Sequence, residues 1–248
     1  MTHPNPIAFE IAGFEIRWYG ILIATGMLLA VLISCKRAYY HGIEAEAVLD
    51  ACLWILPIGV IGARVYYVLF NLKYYDSFAE AVNIRAGGLA IHGGLIFGAL
   101  TAILFCRYKK IYPLNLLDLI IPTTALAQSI GRWGNFFNGE AHGGPTNLPW
   151  GIVVDGVKVH PTFLYESIWC LLLFVALSYF DKNKRKAHGQ TFALYCIFYS
   201  VERFFVEALR TDSLMIGPFK QAQVISLCAI AFGILLYRYS SKHFPLSE

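Results

Sequence analysis

Repeated apolar runs, each about as long as a bilayer is thick, limit most strongly how this chain can fold. A membrane-spanning helix needs roughly 20 mostly apolar residues, and lipid leaves a helix as the simplest way to satisfy every backbone polar group. Seven such runs are present: Trp18–Cys35, Val48–Phe70, Gly87–Phe105, Leu114–Ile130, Phe163–Phe180, Thr191–Leu209 and Ala222–Tyr237. Only 15% of the residues are charged, against about 25% in soluble proteins. The sequence predicts an all-α, polytopic membrane protein.

Lysine and arginine residues between the runs predict the orientation. Cytoplasmic loops are enriched in these residues. With alternating sides, eleven of the 20 fall on one side, including the runs KR, RYKK and KNKRK, and seven fall on the other. We therefore expect the N-terminus outside and the C-terminus inside. The net charge of +4 comes from these loops, so we predict no nucleic-acid partner.

The longest connection, residues 131–162, is rich in Gly, Pro and Asn. It is expected to form a small segment on the outer face, with a hairpin around Asp155 and Gly156, because Asp-Gly between apolar residues favours a tight β-turn. No other boundary is evident, and residues 1–248 are predicted to form a single integral membrane domain.

Strong polar groups in or beside the apolar runs are concentrated toward the predicted outer side. Such groups are costly in a membrane and usually mark a functional site. Tyr199, Arg203, Glu207 and Arg210 are spaced by four, four and three residues, which places them on one stripe of a helix that should face the bundle interior. The other candidates are Tyr19, Arg64, His92, Arg132, Asn135, Asn138, Glu140, Glu166 and Gln223.

The two arginines within the runs also have a purely structural interpretation. Arg64 and Arg203 could simply form ion pairs with the glutamates Glu166, Glu202 or Glu207. A buried arginine needs such partners whether or not it binds a ligand.

The other polar candidates have structural interpretations as well. His92 could be a core histidine, although the glycines around it are typical of a close approach between helices or to a ligand. Asn135 and Asn138 could cap turns, and Glu140 could neutralise Arg132.

Six motifs in order resemble the prolipoprotein diacylglyceryl transferases over nearly the whole chain. They are RWYG (Arg17–Gly20), GARVYYV (Gly62–Val68), GGLAIHGGLIFG (Gly87–Gly98), GRWGNFFNGEAHG (Gly131–Gly143), HPTFLYE (His160–Glu166) and YxxxRFxxExxRxD (Tyr199–Asp212). The fourth is the most specific. The chain departs from the family pattern at Arg85 and Ala86, where an aromatic and a polar residue are usual, and at Ala222, where Gly is usual.

The resemblance implies an enzyme of the bacterial cytoplasmic (inner) membrane with its active site toward the outer leaflet. Such an enzyme moves the diacylglyceryl group of phosphatidylglycerol to the thiol of the lipobox cysteine in a prolipoprotein signal peptide. A thioether forms and glycerol 1-phosphate is released. No cofactor and no metal is expected, because the phospholipid is already an activated donor and no metal-ligand spacing is visible.

The resemblance also implies roles for the polar candidates. Arginine binds phosphate through its planar fork, so Arg132 and Arg203 are assigned to the phosphate, with Tyr199 beside them. His92 is the candidate general base for the substrate thiol. The implied substrate-binding residues are Arg132, Asn135, Asn138, Glu140, Arg64, Glu207, Arg210, Tyr19, Glu166 and Gln223.

Two other classes of protein would also need intramembrane arginines. A phospholipid or organic-anion transporter should show access from both sides and often an inverted repeat, whereas here the polar residues favour one side and no repeat is visible. A scaffold protein with buried ion pairs would not need polar groups from every span at one depth.

Overall fold

The computed structural model describes residues 4–11, 13–84 and 87–246, and helices dominate it. Each predicted apolar run is largely helical, although the run predicted from Gly87 becomes helical only at Ile91. The helices are α1 (Trp18–Arg37), α2 (Ala45–Phe70), the short α3 (Phe78–Val82), α4 (Ile91–Lys109), α5 (Pro113–Asn138), α6 (Thr162–Asn183), α7 (Gln190–Leu209) and α8 (Gln221–His243). By length and composition, five of the described helices could cross a membrane, namely α1, α2, α4, α6 and α8. These findings confirm a helical, polytopic membrane protein.

Helix α5 is longer than predicted. Its apolar run was expected to end at Ile130 and give way to a loop, but the helix continues to Asn138. Gly131 and Gly134 are packing positions rather than helix breakers. A Cβ atom on Gly134 would lie 2.5 Å from Cδ2 of Tyr19, so the glycine allows α1 to approach α5. The predicted loop therefore starts only after Asn138.

The described part of the chain also contains three small β-hairpins, one before α1 and two between helices. The predicted hairpin around Asp155 is confirmed as β3 (Ile152–Val154) paired with β4 (Val157–Val159). Asp155 and Gly156 have φ values of +50° and +79°, as the Asp-Gly turn requires. The sequence did not predict the other two hairpins, whose short strands are β1 (Ile7–Ile11) with β2 (Phe14–Arg17) and β5 (Met215–Ile216) with β6 (Phe219–Lys220).

The chain divides into two compact units, Met1–Ser34 with Leu117–Glu248, and Cys35–Leu116. In the second unit α2 packs closely on α4. The space that a Cβ of Gly93 would need is filled by the carbonyl oxygen of Gly62 and by Cβ of Tyr66. The glycine-rich sequence around position 92 therefore serves helix packing, as small residues do in membrane proteins.

In the first unit, Asp118 of α5 holds the start of α7. This side chain is fully buried. Its carboxylate accepts hydrogen bonds from the backbone amides of Gly189 (2.6 Å) and Phe192 (2.9 Å) and lies 3.4 Å from the Arg185 guanidinium. Asp118 therefore acts as an N-cap supplied by another helix, satisfying amides that the first turn of α7 leaves unpaired.

Asp118→Asn should destabilise the protein by about 3 kcal/mol, because it removes one of the two carboxylates that face the buried Arg185, the other being Asp181 (3.4 Å), and it weakens the acceptor of two buried backbone amides. Thermal unfolding in detergent measures the effect. The control is Asp50→Asn, since Asp50 pairs with Lys109 at a half-exposed position (2.8 Å), where a lost pair costs about 1 kcal/mol or less. Equal effects of the two variants would contradict the assigned role of Asp118.

Candidate active site

Glu166 is the centre of an ionic cluster in the first unit. It is only 1% exposed and lies between two arginines. Its Oε1 is 3.0 Å from Nη1 of Arg203, and its Oε2 forms an ion pair with Nη2 of Arg132. Arg203 also holds Glu207, with 2.6 Å between Nη2 and Oε2. The cluster joins α5, α6 and α7 through side chains that come from three separate motifs.

The predicted polar stripe on α7 forms one side of this cluster. Arg203 and Glu207 are one helical turn apart, so their side chains meet as an i,i+4 pair. One turn earlier, the Tyr199 hydroxyl accepts a hydrogen bond from Nη2 of Arg132 (3.4 Å). Tyr199 is held by stacking on Tyr195, with ring centroids 5.2 Å apart. The stripe therefore faces its neighbouring helices, and the predicted ion pairs of Arg203 are confirmed.

Both arginines keep hydrogen-bond donors free for a ligand. Within the described part of the chain, Nε and Nη1 of Arg132 and Nε of Arg203 have no hydrogen-bond partner. The two side chains are 21% and 19% exposed. Glu166 thus fixes two guanidinium groups close together while leaving N–H groups that can receive an anion, as phosphate recognition by arginine requires.

A second group of polar side chains lies at the C-terminal end of α5. Oε1 of Glu140 accepts hydrogen bonds from Nδ2 of Asn135 (3.2 Å) and Nδ2 of Asn138 (3.0 Å). The interpretation that Glu140 neutralises Arg132 is therefore wrong, because Glu166 has that role. The Asn–Asn–Glu group instead organises the turn through which the chain leaves α5.

Arg210 is held at the end of α7, outside the ionic cluster. It donates to Asp212 from Nε (2.9 Å) and from Nη2 (2.6 Å), and this pairing lowers the pKa of the Asp212 carboxyl against the opposing effect of partial burial. Lys220 donates from Nζ to the carbonyls of Glu207 and Arg210, each at 2.7 Å. A cation bound to the last carbonyls of a helix stabilises its C-terminus.

The segment after α5 is tied to the same helix end. The amide of Gly144 donates a hydrogen bond to the carbonyl of Leu209 (2.9 Å), and the amide of Gly143 donates one to the carbonyl of His160 (2.9 Å). No Cβ fits at Gly143, where it would lie 2.7 Å from Cβ of His160. Residues that leave α5, enter α6 and leave α7 are therefore fixed to one another by backbone hydrogen bonds.

Two of the remaining predicted residues make supporting contacts in this unit. Nε2 of Gln223 donates to the carbonyl of Phe204 (3.2 Å), which links α8 to α7. Tyr19 packs on Gly134 of α5, two residues beyond Arg132 along the helix, and its side chain is exposed.

Arg64 lies in the second unit, where its side chain donates hydrogen bonds to backbone carbonyls and does not pair with a described carboxylate. It is 5% exposed. It donates to four carbonyls: those of Glu80 (2.9 Å), Ala81 (2.7 Å), Gly87 (2.5 Å) and Gly88 (3.0 Å). Among residues 4–11, 13–84 and 87–246 it has no ion pair, so the predicted pairing of Arg64 with a glutamate is wrong. Gly88 has a φ of +78°, and a Cβ there would lie 2.6 Å from Nη1 of Arg64.

His92 lies in the first turn of α4, directly after the segment that Arg64 holds. Its side chain is exposed, with its ring centroid 6.1 Å from that of Tyr66. Among the described residues the imidazole has no hydrogen-bond partner. It is therefore not a hydrogen-bonded core histidine, and both ring nitrogens are available. Arg85 and Ala86, where the chain departs from the family pattern, are outside the described residues.

Sequence reasoning gave no functional weight to several residues that build the cluster. Trp133 donates from Nε1 to Oγ of Ser167 (3.1 Å), and Oγ of Ser129 donates to the Ser167 carbonyl (2.8 Å). These bonds fix α5 against α6 beside the ion pairs. Ser167 directly follows Glu166, and Ser129 lies three residues before Arg132. This proximity in sequence is the signal that could have identified the two serines.

A comparison with known sequences agrees with the motifs. The family described as prolipoprotein diacylglyceryl transferase matches residues 6–239. This chain belongs to the prolipoprotein diacylglyceryl transferase family.

Curated relatives of this family are similar over nearly the full length. A protein of Clostridioides difficile (strain 630) is 54% identical over 237 residues, which cover 95% of each chain. One of Finegoldia magna is 48% identical over 93% of each chain, and one of Thermotoga maritima is 48% identical over 91% of this chain and 81% of its own. All three are named phosphatidylglycerol–prolipoprotein diacylglyceryl transferase.

Proposed function

We propose that this chain transfers the diacylglyceryl group of phosphatidylglycerol to the lipobox cysteine of prolipoproteins. The observation that carries the proposal is the anchoring of Arg132 and Arg203 by the buried Glu166, with free N–H groups remaining on both arginines. The names of the relatives favour this transferase activity over lipid transport.

We propose the following reaction at these residues. The cysteine thiolate attacks the glyceryl carbon that bears the phosphate, a C–S bond forms, and the C–O bond to the phosphate breaks. The electron pair goes to the phosphate oxygen, and glycerol 1-phosphate leaves. Arg132 and Arg203 bind the phosphate and stabilise the charge that develops on the leaving group. Tyr199 and Glu207 orient the two guanidinium groups, and Asn135, Asn138 and Glu140 shape the adjoining turn.

The thiol must lose a proton, because the thiolate is the nucleophile and a free thiol has a pKa of about 8.5. We assign His92 as the acceptor, since its imidazole has no competing partner among the described residues. Arg64 supports it by fixing the backbone of residues 87 and 88. Arg210, Tyr19 and Gln223 are proposed to complete the binding site for lipid and peptide.

Placement in the bacterial membrane is part of the proposal. We propose seven spans, adding α5 and α7 to the five more apolar helices, with the N-terminus outside and the C-terminus in the cytoplasm. The ionic cluster then lies toward the outer leaflet of the inner membrane, where exported signal peptides and the donor lipid are both present. No nucleic-acid partner and no cofactor is proposed.

Transfer by the purified protein tests the function. The protein in detergent is mixed with phosphatidylglycerol and a lipobox peptide, and the peptide mass and the glycerol phosphate released are followed. We expect a gain of one diacylglyceryl group per peptide with equal release of glycerol phosphate. Release of glycerol phosphate without a gain in peptide mass would indicate lipid hydrolysis. The absence of both products would overturn the proposal.

His92→Asn is expected to lower kcat by about 10² to 10⁴-fold, because asparagine keeps a polar side chain but cannot accept the thiol proton. His243→Asn, at an exposed histidine near the end of α8, is the control and should keep wild-type rates. A normal kcat in His92→Asn would exclude His92 as the base.

A further inference from the structure

Glu202 is a buried acid on α7, the helix that also carries Arg203 and Glu207. It immediately precedes Arg203 on α7 and is 7% exposed. In the part of the chain that the structure describes, neither of its carboxyl oxygens has a hydrogen-bond partner. The neighbouring acids differ, because Glu166 pairs with two arginines and Glu207 pairs with one. Buried polar groups are nearly always hydrogen-bonded, so Glu202 needs an explanation.

The charges around Glu202 make its ionised form costly. Arg132 of α5, Glu166 and Cys170 of α6, and Arg203 of its own helix are the titratable groups that interact with it. Both arginines already have carboxylate partners, and Glu166 repels a second negative charge. Burial without hydrogen bonds also disfavours a carboxylate.

The net charge of the cluster depends on this one group. With Glu202 ionised, two arginines would face three glutamates, a net charge of −1, whereas with Glu202 protonated the cluster is neutral. A phosphodiester is an anion, so a negative cluster would repel it and a neutral one would leave the free guanidinium N–H groups able to bind it.

We infer that Glu202 carries a proton in the resting protein and so keeps the arginine cluster receptive to an anionic lipid head group. Glu202 is thus a positioning residue that acts through Arg132 and Arg203 and does not itself contact the lipid. The inference rests on the proposed function for the identity of the lipid, but the protonation of Glu202 can be measured without any transfer reaction.

Infrared spectroscopy measures the protonation directly. A protonated carboxyl group has a C=O stretch separate from the bands of carboxylates, and ¹³C labelling of glutamate shifts it. We expect this band in the wild-type protein at neutral pH and its loss in Glu202→Gln. Asp155→Asn, at the exposed turn of the β3–β4 hairpin, is the control and should keep the band. Absence of a glutamic-acid band from the wild-type protein would overturn the inference, even if the variant did not fold.

Lipid binding tests the consequence. Binding of short-chain phosphatidylglycerol and of phosphatidylcholine with the same acyl chains is measured in detergent as the pH rises. The wild-type affinity for phosphatidylglycerol should fall by on the order of tenfold once Glu202 ionises, while that for the zwitterionic lipid changes little. Glu202→Gln should lack this fall, and Asp155→Asn should keep it.

The outcomes separate this inference from the proposed function. The same alkaline fall in Glu202→Gln and in the wild-type protein would overturn the role of Glu202 in lipid binding. A glutamic-acid band that Glu202→Gln removes, in a protein with no affinity for phosphatidylglycerol, would support the protonation of Glu202 and contradict the proposed substrate instead.

Discussion

Arg132→Ala is expected to lower kcat/KM for phosphatidylglycerol by at least about 10³-fold. The variant loses two free donor nitrogens, Nε and Nη1, that would face the phosphate, and with them the charge that stabilises the leaving group. Arg132→Lys should restore only a small part of the activity, because an ammonium group cannot reproduce the planar fork that pairs with Glu166 and phosphate together. Release of glycerol phosphate under initial-rate conditions measures both variants.

Folding should be largely preserved in Arg132→Ala, because Glu166 keeps its pair with Arg203. Thermal unfolding in detergent checks this. Arg238→Ala, which removes an exposed arginine of α8, is the control for loss of one positive charge and should stay within about twofold of wild type. An Arg132→Ala protein that retained a tenth of the wild-type kcat/KM would remove Arg132 from the phosphate site.

Arg203→Ala should lose transfer to a similar degree and, unlike Arg132→Ala, should also lose stability. Arg203 is the partner of Glu207, which is nearly fully buried, and one of the two partners of Glu166. Removing one partner of a buried ion pair costs about 3–5 kcal/mol, because the remaining charge is left uncompensated. We expect a lower unfolding temperature together with a loss of activity.

A double variant separates the two effects of Arg203. In Arg203→Ala/Glu207→Gln the orphaned carboxylate is replaced by a neutral amide, so much of the lost stability should return while transfer stays absent. Unfolding temperature and glycerol phosphate release are measured on the same preparations. If the double variant regained activity with its stability, Arg203 would be a structural residue only.

The helical framework could be predicted because a membrane imposes a length and an apolar composition on each helix. The stripe on α7 was also predictable, since the spacing from Tyr199 to Arg210 follows the helical period. The end of α5 was not predictable, because glycines such as Gly131 and Gly134 indicate a turn when the sequence alone is considered. Only the position of Tyr19 reveals that Gly134 is a packing contact.

The pairing of charges could not be predicted from the sequence. Glu140 is eight residues from Arg132 and Glu166 is thirty-four residues away, yet the buried, more distant acid is the partner. Sequence separation carries little information about contacts between helices, and either glutamate can neutralise an arginine. Arg64 shows the same limit, because its partners are backbone carbonyls, which no residue pattern marks.

The backbone hydrogen bond between Gly144 and Leu209 has a consequence for the synthesis of the protein. Its two ends are sixty-five residues apart, and Leu209 is the last residue of α7, so the bond cannot form until all of α7 has left the ribosome. Arg132 leaves the ribosome before Glu166, and Glu166 leaves it before Arg203. During synthesis Arg132 therefore has no partner until Glu166 has been made, and the cluster is incomplete until Arg203 has been made. A nascent chain that stalls before position 203 would present this incomplete cluster to quality-control proteases.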